Sequence, residues 1–366
     1  MKILFMSDLL SYGGASKLLY DLMPLLKKRG HQCSLLILTD KQSKYVDDLA
    51  ADGIRVDVVP KDVQGHFAKI KYISQYIKAG SYDVIHANLF PMLYYCALVK
   101  RVLGKKCPPI VMTEHSTDNK RRHKSFLRPL EQFIYDSYDH VISISNQAQD
   151  SLLAWLKKTT AEGYSVIENG IHLDKFVNAE PHRKTDLFDQ YQEGDLLIGL
   201  VGSFTPQKNH INMIEAMSKL PEQYKLVLAG EGPLMDTIKS KVDQLNLNER
   251  VVFLGFRRDM AELMHTIDIL VIPSVWEGFG LVAAEAMACG AAVVASDVPG
   301  LSDVVADCGL KCDPKDSDDI AKKILLLQDA DLVRELKQKG NNRARRFDIE
   351  RTATSYETVL HSVSKK

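Results

Sequence analysis

Repeated units of strand, glycine turn and helix constrain this chain more than any other feature. Lys2 to Ser7 (KILFMS) is a short apolar run leading to the Gly13-Gly14 turn, and a helical segment follows from Ala15 to about Arg29, stopped at Gly30. Such a unit opens a doubly wound sheet, whose ligands gather at strand C-terminal ends. Pro24, inside that helix, implies a kink or local break. The alternation continues with strands over Gln32–Leu38, Val56–Val59, Val84–Ala87, Ile110–Glu114, Val141–Ile144 and Ser165–Ile167. Helices fall between them over Tyr45–Ala51, Phe67–Lys78, Pro91–Val102, Leu127–Ser137 and Gln147–Trp155. This rhythm predicts a parallel sheet covered by helices on both faces. From Asn178 to Glu193 the chain is polar and without periodicity, and a second series starts at Leu196–Val201, so the polar stretch reads as the domain boundary. Further strands are expected at Leu226–Ala229, Val251–Phe253, Ile269–Ile272, Ala292–Ala295 and near Leu310. Helices at Asp316–Gln328, Asp331–Lys339 and Ile349–Ser364 close the chain. The expected fold class is α/β, with two Rossmann-like halves.

The 366 residues suffice for two domains, each with its own core. Formal net charge is zero, so no global field draws the protein to nucleic acid or anionic lipid, and any such affinity must be local. The opening residues MKILFMSDLL are interrupted by Asp8 and lack a small-residue cleavage site, which argues against a signal peptide. No run approaches ~20 uninterrupted apolar residues, so no spanning helix is expected, and the expected location is the cytoplasm. The six cysteines, Cys33, Cys96, Cys107, Cys289, Cys308 and Cys312, form no CxxC pair and read as reduced thiols.

Chemistry concentrates in Ile272 to Gly300, IPSVWEGFGLVAAEAMACGAAVVASDVPG. Leu281 to Cys289 is apolar and alanine-rich, and reads as a buried helix closed by Gly290. The Gly278-Phe279-Gly280 turn before it lets backbone amides approach a ligand, and with the positive end of the helix dipole it makes a seat for an anion. Glu277 precedes the helix and Glu285 lies about one turn inside it, so at ~1.5 Å rise per residue the carboxylates bracket the seat by roughly 10 Å. Either acid alone could simply complement the helix dipole. Glu285 is the sole charge in an apolar run, and a buried carboxylate without a partner is costly. Hydroxyl-rich sugar, diphosphate and hydroxyl-rich ribose, the layout of a nucleotide sugar, would match acid, seat and acid.

This window resembles the signature of glycosyltransferase family 4, retaining enzymes of the GT-B fold, with Glu277 and Glu285 as the pair of its Glu-x7-Glu motif. The resemblance extends through GGAS at Gly13, TEHS at Thr113, ENGIHLDKF at Glu168, VGSFTPQKN at Val201, LAGEGPL at Leu228 and VVFLGF at Val251. It implies two Rossmann-like domains facing each other across a cleft. Residues 1–178 would be the acceptor domain, 179–346 the nucleotide-sugar donor domain, and a C-terminal helix in 347–366 would cross back to the first. Lys208, which alone reads as a solvated loop charge, becomes by the resemblance a cation offsetting the charge of the leaving diphosphate. His115, otherwise an ordinary loop or core histidine, is placed beside the transferred sugar. Gly13 and Gly14 would let the first domain close over the phosphates. The amides of Gly278, Phe279, Gly280 and Leu281 would hold the diphosphate, Glu277 the sugar hydroxyls and Glu285 the ribose. Ser203 departs from the pattern, which often has arginine there; a hydroxyl can donate to a phosphate oxygen but supplies no charge.

No metal or other cofactor is expected. Asp316-Ser317-Asp318 precedes a helix and reads as capping acids, and neither a metal-binding HExxH nor a phosphate loop is present. Lys120 to Arg128 (KRRHKSFLR) is a sharp basic cluster, either a solvated face or a patch for the cytoplasmic leaflet that would bring a lipid-diphosphate acceptor within reach. The expected function is retaining transfer of a hexose-type sugar from a nucleotide diphosphate sugar, UDP ahead of GDP, to a glycan or lipid-linked acceptor in cell-surface polysaccharide assembly. Nucleic acid is not an expected partner. A nucleotide-sugar epimerase or hydrolase on the same fold, or a non-catalytic binding subunit, are the alternatives.

Overall fold

The structure, a computed structural model, describes residues 1–10, 13–40, 43, 45–117, 119 and 121–365. It separates into two compact units, Met1–Gly170 with Ile349–Lys366, and Ile171–Asp348.

Among the described residues, the first unit holds a seven-stranded sheet in the order β3-β2-β1-β4-β5-β6-β7. Its strands are β1 Lys2–Ser7, β2 Gln32–Ile37, β3 Arg55–Val58, β4 Val84–Asn88, β5 Ile110–Glu114, β6 His140–Ser143 and β7 Tyr164–Val166. Every pairing is parallel. Both faces are covered, as continuous apolar strands require. Ile3 and Phe5 of β1 join a core with Leu18, Leu22 and Tyr356. Leu4 and Met6, pointing the other way, join one with Ile73, Cys96 and Ile134.

The C-terminal helix Ile349–Ser364 belongs to this unit, as expected. Ile349, Ala353, Tyr356, Leu360 and Val363 are buried in the core beside the Gly14–Lys28 helix, each larger side chain contributing about 1.5–3 kcal/mol. Glu357 anchors it, accepting from Arg29 Nη1 at 3.1 Å and His31 Nε2 at 2.7 Å. Gly170 permits the close approach, because a Cβ there would lie 2.5 Å from Ile349 Cα.

The second unit holds a six-stranded parallel sheet, order β10-β9-β8-β11-β12-β13, among the described residues. These strands are β8 Leu196–Val201, β9 Tyr224–Ala229, β10 Val251–Gly255, β11 Ile269–Ile272, β12 Ala292–Ser296 and β13 Leu310–Cys312. The strand order reverses between β1 and β4 in one unit and between β8 and β11 in the other, where ligand crevices form in such sheets.

Two expectations change. The helix Gly14–Lys28 runs through Pro24 without a break, with Leu22, Met23, Leu25 and Leu26 buried around it. The polar stretch 178–193 is no linker: Lys184 pairs with Asp268 at 2.6 Å, and Leu187 and Phe188 are buried. The preceding helix Leu173–Val177 also packs within the second unit, where His265 Nε2 meets the Phe176 carbonyl at 2.5 Å. The units therefore divide at Gly170–Ile171 and Asp348–Ile349, because buried contacts rather than polarity hold these residues.

Candidate functional site

The candidate site in the second unit forms where the chain leaves β8 and β11. After β8 comes the turn Pro206–Lys208, and after β11 the loop 273–280. Backbone and side-chain bonds stitch them together. Val275 N donates to the Gln207 carbonyl at 2.9 Å, Gln207 Nε2 to the Trp276 carbonyl at 2.9 Å, and Asn209 Nδ2 to the Pro273 carbonyl at 2.9 Å. Asn209 is left-handed, φ 56°, a conformation asparagine tolerates. The stem of Lys208 runs over Gly202, where a Cβ would come within 3.1–3.2 Å of it.

Lys208 Nζ thereby reaches Glu277 Oε1 at 2.5 Å, and Ser274 Oγ donates to the same oxygen at 2.8 Å. Glu277 is 9% exposed, so its charge is held mostly out of water. The sequence pattern singled out both residues but not their pairing.

The glycine turn behaves as a helix start. Gly280 caps the helix Leu281–Ala288 in a left-handed conformation, φ 99°, with neither a side-chain cap nor an acid in the first turn. The first amides of such a helix lack internal acceptors. Phe279 is buried edge-on against Phe347, so only its amide is available to a ligand. Gly300, φ 83°, backs the turn: a Cβ there would lie 2.8 Å from the Gly278 carbonyl oxygen and 2.9 Å from that of Glu277. Sequence reasoning missed the need for Gly202 and Gly300, although glycines after strands offered a signal. Glu285 is 8% exposed, inside the helix, and burial, with the charges of Glu285 and Glu262, pushes the Cys289 thiol upward. Ser203 is exposed beyond β8. The His210 ring packs at a tilt against that of Phe204, with centroids 4.4 Å apart. Burial, with Lys208 nearby, holds its pKa at about 4.

The first unit carries the other expected residues. Gly13 is extended (φ 167°, ψ 158°) ahead of the helix Gly14–Lys28, and among the described residues nothing lies within 4 Å of a Cβ placed on it. Its own packing therefore does not demand glycine. His115 follows β5. Asn88 Nδ2 donates to the His86 carbonyl at 3.3 Å, which turns Asn88 Oδ1 toward His115 Nε2 at 3.0 Å. Nε2 must then carry the proton and Nδ1 the lone pair. Burial pushes the imidazole down to about 4, so it is neutral at physiological pH. Asn88 was not anticipated.

The basic cluster is corrected. Arg122 is buried against Glu114 at 2.9 Å, and Arg121 bonds the fully buried Glu131 at 2.8 Å and lies 4.8 Å from the Phe90 ring. Arg128 covers the Trp155 ring at 4.7 Å. These arginines are drawn inward by acids and aromatics elsewhere in the sequence; Lys124 and Phe126 are exposed, and Lys120 lies outside the described residues. Asp316 accepts from the amides of Asp318 at 2.9 Å and Asp319 at 3.3 Å, the expected cap. Among the described residues His31, Glu357 and His361 bring ligand-type atoms within 4.8 Å of one another, but Arg29 and His31 already bond Glu357.

A family model described as Glycosyl transferases group 1 matches residues 183–346, and one described as Glycosyltransferase Family 4 matches 12–175. The chain is 26% identical over 372 residues to the N-acetyl-alpha-D-glucosaminyl L-malate synthase of Bacillus anthracis, covering 96% of this chain and 95% of that protein. It is 26% identical over 282 residues to an Escherichia coli UDP-Gal:alpha-D-GlcNAc-diphosphoundecaprenol alpha-1,3-galactosyltransferase, covering 71% and 70%. Among solved structures, HepE of Anabaena in complex with UDP and glucose superposes with a TM-score of 0.85 at 23% identity, covering 99% of this chain and 100% of that one.

Proposed function

We propose, since the chain belongs to glycosyltransferase family 4 and is a transferase of GT-B fold, that it moves a hexose-type sugar from a UDP-sugar, ahead of a GDP-sugar, to a glycan or lipid-linked acceptor. Configuration would be retained, and the product would be a cell-surface polysaccharide made at the cytoplasmic face of the membrane. The observation that carries this reading is the juxtaposition of Lys208 with Glu277 beside the uncapped start of the Leu281–Ala288 helix. A cation, a set of amides and a hydrogen-bond acceptor together suit a diphosphate joined to a sugar. The names of relatives that use UDP-galactose and a diphosphoundecaprenol-linked acceptor, and of a neighbour solved with UDP and glucose, support the choice of donor and acceptor class.

In this reading the amides of Gly278 to Leu281 and Lys208 take the diphosphate, Glu277 a sugar hydroxyl and Glu285 the ribose. Ser203 offers a neutral hydroxyl to a phosphate oxygen. The 171–348 unit would be the donor domain and the first unit the acceptor domain, with Gly13 and Gly14 closing over the phosphates. His115, neutral and with Nδ1 as acceptor, would receive a hydrogen bond from a sugar hydroxyl. No enzyme nucleophile is needed: the acceptor attacks the face that the diphosphate leaves, and a phosphate oxygen takes its proton. A product assay with UDP-hexoses and a panel of polyprenyl-diphosphate-linked sugars tests this reading, with the anomeric configuration of any product read by proton NMR. Free sugar released without acceptor, or an inverted product, would overturn it.

A further inference from the structure

Three ligand-type side chains gather on the first unit, none of them a residue of the candidate site above. Glu357 and His361 stand one turn apart on the Ile349–Ser364 helix and so share a face. Tyr356, Leu360 and Val363 around them are buried in the core, which presses the helix against the Gly14–Lys28 helix. His31 stands just past the end of that neighbour, ahead of β2, and is 7% exposed. One ligand atom from each of the three lies within 4.8 Å of the others, although 326 residues separate His31 from Glu357.

The bonds within the group are unevenly shared. Glu357 turns Oε2 to Arg29 Nη1 at 3.1 Å and Oε1 to His31 Nε2 at 2.7 Å. His31 Nδ1 faces the amino nitrogen of Met1 at 3.3 Å, so both nitrogens of this ring are directed. His361 differs. Its ring meets that of His31 edge-on, centroids 5.5 Å apart, and among the described residues its nitrogens make no hydrogen bond or ion pair. Arg29 already supplies the charge that Glu357 needs, so the ion pair leaves this second imidazole without a task. Two imidazoles and one carboxylate are a donor set for a transition ion. Magnesium and calcium seek oxygen alone, whereas zinc is commonly held by two histidines and a glutamate with the fourth position left to water.

We propose that His31, Glu357 and His361 bind one zinc-class divalent ion, which clips the C-terminal helix to the segment ahead of β2. The ligands are His31 Nε2, Glu357 Oε1 and a nitrogen of His361, with water in the fourth position. At Zn–N and Zn–O lengths of about 2.0–2.2 Å, tetrahedral ligand atoms stand about 3.3 Å apart. The His31–Glu357 contact therefore opens slightly, and the partly exposed His361 ring swings in. The ion replaces the proton between Nε2 and Oε1. The His31 ring then carries its proton on Nδ1, beside the Met1 nitrogen, while Arg29 keeps hold of Oε2, the kind of outer bond that orients a ligating carboxylate. Residues 31 and 357 are far apart in an unfolded chain, so the ion favours the folded unit and stabilises it. The clip touches no substrate and stands apart from the donor reading.

The test uses the untagged full chain, stripped with EDTA and titrated calorimetrically with zinc chloride. One zinc per chain should bind and raise the thermal midpoint, and EDTA should return it to the stripped value. Cobalt in place of zinc should show the visible absorption of a four-coordinate ion. His361→Ala leaves the bonds from Arg29 and His31 to Glu357 in place, so its metal-free midpoint should match the parent's. Its zinc affinity should fall by at least ~10–100-fold, the loss that follows removal of even an outer partner of a ligand. His123→Ala, which removes an exposed histidine elsewhere, should bind as the parent does. No zinc binding by the parent, or parental affinity in His361→Ala, would overturn the proposal. So would zinc binding abolished by alkylating the cysteines yet intact in His361→Ala, which would move the ion to the thiols.

Discussion

Lys208 Nζ lies 2.5 Å from Glu277 Oε1, although 69 residues separate the two in the chain. The candidate site therefore neutralises its own cation, and the diphosphate of the proposed donor would have to draw Lys208 from a carboxylate that Ser274 also holds. Removing one partner leaves a buried charge unpaired, which costs more than removing both. Lys208→Met should lower stability by about 1–3 kcal/mol, and Lys208→Met with Glu277→Leu should recover part of that loss in urea denaturation. A double variant less stable than Lys208→Met would show that the pair is not coupled.

Two glycines separate folding from ligand contact. Gly300→Ala puts a Cβ against the Glu277 and Gly278 carbonyls at φ 83°, so it should cost about 1–3 kcal/mol and displace the turn. Gly13→Ala meets nothing within 4 Å among the described residues, at an extended backbone. Its thermal midpoint should stay unchanged while turnover falls, if the amide edge at Gly13 approaches phosphate. A normal turnover in Gly13→Ala would remove that glycine from the site.

Acid should destabilise the second unit through His210. Its folded pKa is lowered from 6.5 to about 4, so as pH falls the unfolded chain takes the proton first. The stability that His210 contributes is complete above about pH 6.5 and is lost as pH falls toward about 4. Urea midpoints of the parent should fall across that window, and those of His210→Leu should fall less. Parallel curves would assign the acid sensitivity elsewhere.

If amides and Lys208 balance the diphosphate, turnover should persist in excess EDTA. Abolition that only magnesium or manganese reverses would contradict that division of charge.

Much of the fold is legible in the chain because strands buried on both faces must be continuously apolar: β5, β8 and β11 fall at the expected boundaries, as does the Ile349–Ser364 helix. Polarity misleads where it serves packing. Lys184 looks like linker charge until Asp268 is beside it, and Arg121 and Arg122 look like surface until Glu131 and Glu114 are. The candidate site is legible where its residues are local, as in Glu277 to Glu285. The Lys208–Glu277 bond, the Asn88–His115 bond and the Gly300 backing join distant segments, and no spacing rule anticipates them.

Calorimetric titration of UDP and of a UDP-hexose donor into the Glu277→Gln and Glu285→Gln variants tests the donor layout most directly. If Glu285 takes the ribose as proposed, Glu285→Gln removes charge-assisted bonds worth about 1.5–3 kcal/mol each and should weaken both ligands. Glu277→Gln frees Lys208, so bare UDP should bind as well as to the parent or tighter, while the extra affinity of the full donor, and turnover, are lost. If Glu277→Gln weakens bare UDP as much as Glu285→Gln does, the assignment of one acid to sugar and the other to ribose is contradicted.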